Sequence, residues 1–245
     1  VWLCSGQSNM AWKVARVKNA KEEVATADWP KIRMFNVPRR PAGEPQDAVT
    51  GSWQVCSPGK VSNFSATAYF FGRELHRDLN VPIGLINSSV GGTPIEAWTS
   101  LKAHQSNEQL QPVLKQTSDG AGKGVAQLYN GMIAPLSPYA LRGAIWYQGE
   151  RNSKIGDPSR YQHQLPAMIA NWRELWNAEP EDFPFLFVQL PNFMPLQKQP
   201  VETNGWVLVR EGMLKTLSTS DNTGMAVTID VGEAGNIHPG NKQDV

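Results

Sequence analysis

The chain has 245 residues, 40% of them hydrophobic, with 23 basic against 22 acidic side chains and a formal net charge of +1. That length supports one sizeable core. The balanced, scattered charge argues against a nucleic-acid stripe or an acidic disordered tract, and no apolar run approaches a membrane span. The expected partners therefore include neither nucleic acid nor membrane.

The chain opens on Val1 and runs into a strand-like "VWLC", which is followed by "SGQSNM" at 5–10. Cys4 lies in that strand, where a buried free thiol is expected. A disulfide to Cys56 is the alternative, but two cysteines define no framework. A second strand is read at 32–37, "IRMFNV". The segment 65–80, "SATAYFFGRELHRDLN", predicts a helix with Ser65 as N-cap and Ala68, Phe71, Leu75 and Leu79 on one face. "VPIGLINSSV" at 81–90 reads as a buried strand, ending at Gly91-Gly92-Thr93.

Further along, 124–136 predicts a helix, 141–147 a strand, and 160–178 a helix despite Pro166. A strand at 183–190, a helix at 205–220 and a last strand at 225–231 follow. The region 38–63, rich in Pro and Gly, and the polar stretch 102–123 read as long surface excursions. Strands apolar on both faces, alternating with helices, predict an α/β fold with a parallel sheet covered on both sides.

Function in such a sheet collects beyond the carboxyl ends of the strands. Four predicted ends carry unusual residues: Ser8 after the first strand, Gly91-Gly92 after 81–90, Gln148-Gly149-Glu150-Arg151-Asn152 after 141–147, and His238 after the last. Parallel strands bring these ends to one edge. A serine hydroxyl needs an imidazole to take its proton and a carboxylate to orient that imidazole. The oxyanion needs backbone N–H groups and an amide side chain. Gly91 or Gly92 can supply the first and Gln148 or Asn152 the second.

Taken singly, each residue also has an ordinary reading. Ser8 suits a turn, the glycines a tight strand-to-helix connection, Glu150 a helix first turn and His238 a surface loop. Their joint placement favours catalysis. Three other features carry no function. His76, His104, His163 and His238 are far apart, and no cysteine pair has ligand spacing, so no metal site is expected. "DGAGKG" at 119–124 lacks the residues and the preceding strand of a phosphate loop. Trp172 and Trp176, four apart on a helix, suit core packing better than sugar stacking.

The blocks "LCSGQSNM", "GGTPIEAW", "IWYQGERN" and "IHPGNKQDV" resemble the sialate O-acetylesterase family and its acetylxylan-esterase relatives in the SGNH hydrolase superfamily. The resemblance spans nearly the whole chain. It implies a three-layer α/β/α, flavodoxin-like fold, one catalytic domain over 1–245 cut short at both ends, and a secreted or periplasmic setting. It also implies removal of O-acetyl groups from carbohydrates without a cofactor.

By the same resemblance, Ser8 is the nucleophile and an oxyanion donor, Gly91 (or Gly92, one register on) a second donor, and His238 the base. The superfamily's usual Asp three residues before the histidine is replaced by Gly235. Glu150 of "QGE" is then the first choice of acid, with Asp230 and Glu233 as alternatives. A Ser–His dyad oriented by a backbone carbonyl remains open. Two other functions stay in view: acetylxylan esterase on plant polysaccharide, and a non-catalytic carbohydrate-binding module of the same fold.

Overall fold

The computed structural model describes residues 1–115, 124–200 and 204–245. Seven strands form one sheet: β1 (Trp2–Gly6), β2 (Trp29–Asn36), β3 (Gln54–Cys56), β4 (Ile83–Ser89), β5 (Gly143–Tyr147), β6 (Phe185–Val188) and β7 (Thr223–Ala226). The α-helices are α1 (Ala20–Ala25), α2 (Pro58–Val61), α3 (Ala66–Leu79), α4 (Leu101–Ser106), α5 (Tyr161–Trp176) and α6 (Gly205–Thr219). Strand order is β3-β2-β4-β1-β5-β6-β7. Every pairing is parallel except the edge pair β2–β3. The sheet is thus mixed, not wholly parallel, because the excursion 38–63 folds back as a short edge strand.

Period-two alternation sorts the strands into two cores. Leu3, Ile86, Ala144 and Trp146 face one side, against Leu165, Met168, Ile169 and Trp172 of α5 and Val209 and Met213 of α6. Cys4, Leu85, Ile145 and Tyr147 face the other, against Ala68 and Tyr69 of α3. Both cysteines are buried and free. Trp172 packs edge-on to Trp146, with ring centroids 5.8 Å apart, which bears out its reading as a core residue.

Ser65 caps α3 by accepting from the Ala68 N–H at 3.2 Å. The buried face of that helix differs from the predicted one. Thr67, Ala68, Tyr69 and Phe70 are buried whereas Leu79 is exposed, since the last turn runs past the edge of the core. Residues Tyr129–Leu136 form a π turn and a 3₁₀ turn instead of an α-helix. Gly131 explains part of this: a Cβ there would sit 1.6 Å from the Arg40 carbonyl oxygen, so the chain is pinned against the 38–53 loop. The last strand ends at Ala226, and 227–231 leave the sheet in a turn.

The polar stretch after 101 contains α4 and a 3₁₀ turn at Gln111–Lys115, while most of "DGAGKG" lies outside the described residues. No helix among the described residues is long and apolar enough to cross a membrane. β1 lies at the middle of the sheet, with β4 and β2 on one side and β5, β6 and β7 on the other. The chain order reverses at β1, and the crevice of an open α/β sheet forms at such a point.

Candidate active site

Ser8 follows β1 by two residues. Gly6, the last residue of β1, has φ +140, and a Cβ on it would lie 2.1 Å from the Tyr147 carbonyl oxygen. Only glycine admits this approach, which lets Gln7 N–H donate to that carbonyl at 3.0 Å. The turn 7–10 is thereby held over the carboxyl end of β5 with Ser8 at its half-buried tip.

Gly91, at the carboxyl end of β4, meets that tip. A Cβ on Gly91 would lie 3.4 Å from Ser8 Cβ, so the glycine backbone runs directly beside the serine. Gly92 has φ +71, and a Cβ on it would meet nothing within 4 Å, so of the two glycines Gly91 is the one that runs beside Ser8. Among the described residues, neither the Ser8 N–H nor the Gly91 N–H has a protein acceptor. Two backbone donors without acceptors beside a serine are what an oxyanion requires.

Gln148 and Asn152 occupy a different role from the expected one. Gln148 Nε2 donates to Asn152 Oδ1 at 2.7 Å and Thr93 O at 3.0 Å, and lies 3.2 Å from Gln7 Oε1. Asn152 Nδ2 donates to Glu96 Oε2 at 3.0 Å, and Gln164 Nε2 donates to Glu96 Oε1 at 2.7 Å. Gln148 Oε1 accepts from the Tyr161 hydroxyl at 2.9 Å. All of these groups are buried. The two amides therefore brace the floor of the site, and their donors already have protein acceptors. The amide that does approach the serine is Gln7, whose Nε2 lies 3.5 Å from Ser8 Oγ.

His238 arrives from the segment after β7. Its backbone N–H donates to Asn236 Oδ1 at 3.0 Å. Its ring stacks on Trp12, with centroids 4.9 Å apart and planes 15° apart. Burial, and then the charge of Lys242, push its pKa below the usual imidazole value, so the ring is neutral at neutral pH. No hydrogen bond joins the ring to Ser8 or to any carboxylate among the described residues.

The three candidate acids separate clearly. Asp230 is exposed, and no bond of its side chain is found among the described residues. Glu233 accepts from the Gly240 N–H at 2.9 Å and from Asn236 Nδ2 at 3.2 Å, which clasps the turn around His238 without touching the ring. These bonds hold its carboxyl below the usual range. Glu150 is buried, and its Oε1 takes a short hydrogen bond from Asn9 Nδ2. Burial pushes its pKa up, opposed by the Asn9 bond and the charge of Lys242.

Asn9 Nδ2 also donates to Ile237 O at 2.9 Å, and Lys242 Nζ donates to Asn9 Oδ1 at 2.7 Å. Asn9 and Lys242, like Gln7 and Trp12, are site residues that sequence reasoning missed. Asn9 and Gln7 flank the serine and could have been flagged by adjacency. Nothing in "GNKQDV" announces a fully buried lysine. Among the described residues, no three of His, Cys, Asp and Glu are placed to hold a metal ion.

The seven-stranded, mostly parallel sheet with helices on both faces is an α/β fold of the SGNH-like kind. The family model described as "Carbohydrate esterase, sialic acid-specific acetylesterase" matches residues 1–241, and the chain belongs to that family. It is 34% identical over 296 residues to the sialate O-acetylesterase of Rattus norvegicus, covering 100% of this chain and 54% of that protein. It is 36% identical over 271 residues to that of Homo sapiens, covering 100% and 51%.

Among solved structures, a carbohydrate acetylesterase from Xanthomonas citri superposes with TM-score 0.89 at 38% identity, over 99% of this chain and 52% of that one. An Arabidopsis thaliana protein shares the fold at TM-score 0.62 and 18% identity, over 99% of this chain and 92% of its own. The chain spans about half the length of the sialate O-acetylesterases it matches.

Proposed function

We propose that this chain is a serine esterase that removes O-acetyl groups from carbohydrates, with O-acetylated sialic acid as the favoured substrate. The observation that carries the reading is Ser8 lying against Gly91, with the N–H groups of both lacking protein acceptors among the described residues. Membership of the sialic acid-specific acetylesterase family supports the substrate class. One sheet with a core on each face supports reading 1–245 as one catalytic domain. A secreted or periplasmic setting is part of the same proposal and rests on the family resemblance.

In the reaction, His238 takes the Ser8 proton as Ser8 Oγ attacks the acetyl carbonyl. The developing oxyanion is held by the N–H groups of Ser8 and Gly91, with Gln7 Nε2 beside them. Collapse breaks the ester bond, and His238 returns the proton to the departing sugar oxygen. A water deprotonated by His238 then attacks the acetyl-enzyme, and Ser8 leaves as the hydroxyl with release of acetate. A neutral imidazole is the competent base, consistent with the burial of His238. Glu150 is the acid that supports His238, acting across Asn9 instead of by direct contact.

A fluorophosphonate probe tests the nucleophile. Labelling of wild type and not of Ser8→Ala, with loss of acetate release in the variant, is the expected result. Unlabelled wild type would favour a non-catalytic carbohydrate-binding module. Acetate release from O-acetyl sialic acid against acetylated xylan fragments tests the substrate, and preference for xylan would replace sialate with plant polysaccharide.

A further inference from the structure

The terminal segment carries a second group whose burial needs an explanation. Lys242 has none of its surface exposed, which is unusual for a lysine unless it is paired. Its Nζ donates to Asn9 Oδ1 at 2.7 Å and lies 5.4 Å from the centre of the Tyr147 ring. On the far side of the same amide, Asn9 Nδ2 donates both to the buried Glu150 carboxylate and to the carbonyl of Ile237. Ammonium and carboxylate are thus joined through one asparagine amide, and no direct ion pair forms between them among the described residues.

The chemistry of the partners allows only one orientation of that amide. An ammonium only donates, whereas a carboxylate and a backbone carbonyl only accept. Turning the Asn9 amide over would set its NH₂ against the ammonium and its oxygen against both acceptors. In a site this dry such reversals are heavily disfavoured. Lys242, Glu150 and Ile237 thus fix the Asn9 amide together, with Lys242 on its oxygen and the two N–H groups on Glu150 and on Ile237, whose carbonyl immediately precedes His238.

The remaining contacts of the His238 segment come from exposed or half-buried groups. Lys18 N–H donates to Gly240 O at 2.8 Å, Gln243 Nε2 to Lys18 O at 2.6 Å, and Glu233 accepts from Gly240 N–H. The tie from Asn9 is the one that runs from the serine turn itself to the peptide next to the histidine. Because Asn9 follows Ser8 directly, one amide registers the nucleophile's turn against the segment that carries the base.

We propose that Lys242 is a positioning residue for the esterase reaction. It locks the Asn9 amide so that Asn9 couples Glu150 to the His238 segment and keeps that segment registered against the serine turn. This rests on the Ser8–His238 reading above. Lys242 touches neither substrate nor reacting atoms and acts through Asn9. The charged and titratable groups around it are Glu150 and Tyr147 at the end of β5, and Glu233 and His238 in its own segment. Burial brings the Lys242 pKa down to about 8, opposed by Glu150 and Glu233, so its proton is lost within an accessible pH range.

The test uses the whole chain and an activated acetyl ester, with Lys242→Met, Asn9→Ser and the double variant. Lys242→Met strips Glu150 of its counter-charge and threatens folding. Asn9→Ser keeps both buried charges and removes only the amide. Each single variant should lower kcat about 10-fold or more with KM within about twofold, as expected when an interaction serving only the transition state is lost. The double variant should be no slower than Asn9→Ser alone, because Lys242 acts through that amide.

In wild type kcat should decline on the alkaline side through about pH 8, and this limb should vanish in Lys242→Met. Multiplicative losses, a folded Asn9→Ser with wild-type kcat, or an alkaline limb unchanged in Lys242→Met would overturn the role. If wild type itself neither hydrolyses the ester nor takes the fluorophosphonate label, the esterase reading fails. Active wild type with unaffected variants removes only the positioning role.

Discussion

Two buried polar networks meet at the serine turn, and they are built on opposite principles. One runs from Gln7 through Gln148 and Asn152 to Glu96, Gln164 and Tyr161. It consists mostly of neutral amides, and the donors of Gln148 and Asn152 all have acceptors. The other runs from Lys242 through Asn9 to Glu150 and Ile237. It carries two buried charges, and Glu150 Oε2 has no hydrogen-bond partner among the described residues. A saturated amide network gives a rigid frame, because each group is held by its neighbours. An unsaturated charged network is a poor frame and is retained where charge serves a reaction. The first network fixes the strand ends; the second reaches the peptide next to His238, the base of the proposed reaction.

This contrast can be broken by experiment, beginning with the largest effect. His238→Ala should reduce acetyl-ester turnover by about 10³-fold or more, since triad members act as a unit. It should leave the thermal midpoint close to wild type, because the ring makes no hydrogen bond among the described residues. Steady-state rates and a melting curve check both halves.

Glu150→Gln comes next. It removes the charge at the end of the Asn9 bond and should lower kcat about 10–100-fold, the scale of a lost charge-assisted hydrogen bond. Asp230→Asn should stay within about twofold, since that carboxylate is exposed and lies outside the network. Equal losses in the two would erase the distinction between the candidate acids.

Asn152→Ala probes the frame instead. It strands the Ile95 N–H and one oxygen of Glu96 and removes one of the three acceptors around the Gln148 amide, all in buried surroundings. A loss of about 2–4 kcal/mol in chemical denaturation is expected, with loss of activity following stability. A variant with wild-type stability and low kcat would move Asn152 back to the oxyanion site.

The smallest effect is on pH. His238 has its pKa lowered on folding, so its neutral form persists to more acidic pH than in a free imidazole. Activity should therefore fall as pH drops through a midpoint below the ordinary value of about 6.5. A midpoint above that value would mean that a carboxylate pairs directly with the ring.

Much of this arrangement is legible in the residues. Apolar runs such as "VPIGLINSSV" and the capped pattern from Ser65 identify strands and a helix, because burial on two faces or one leaves a periodic trace. Ser8, Gly91 and His238 stand out since each follows a predicted strand. Less regular segments mislead. The run at 124–136 has helical periodicity, yet the close pass of Gly131 against Arg40 turns it into a π and 3₁₀ passage. Gln148 and Asn152 have the right chemistry for an oxyanion site. Only their neighbours reveal that their donors are already taken.

The sequence by itself determined the α/β layering and pointed to the carboxyl edge and to Ser8, Gly91 and His238 as the candidate site, since these follow from local periodicity and strand direction. Tertiary structure decided which glycine runs beside Ser8, that Glu150 and not Asp230 or Glu233 bonds to Asn9, and that Lys242 is buried at all. Those outcomes depend on contacts between residues far apart in the chain, from Ser8 with Gly91 to Asn9 with Lys242. No local pattern records them, because a hydrogen bond across the fold imposes no period on the chain.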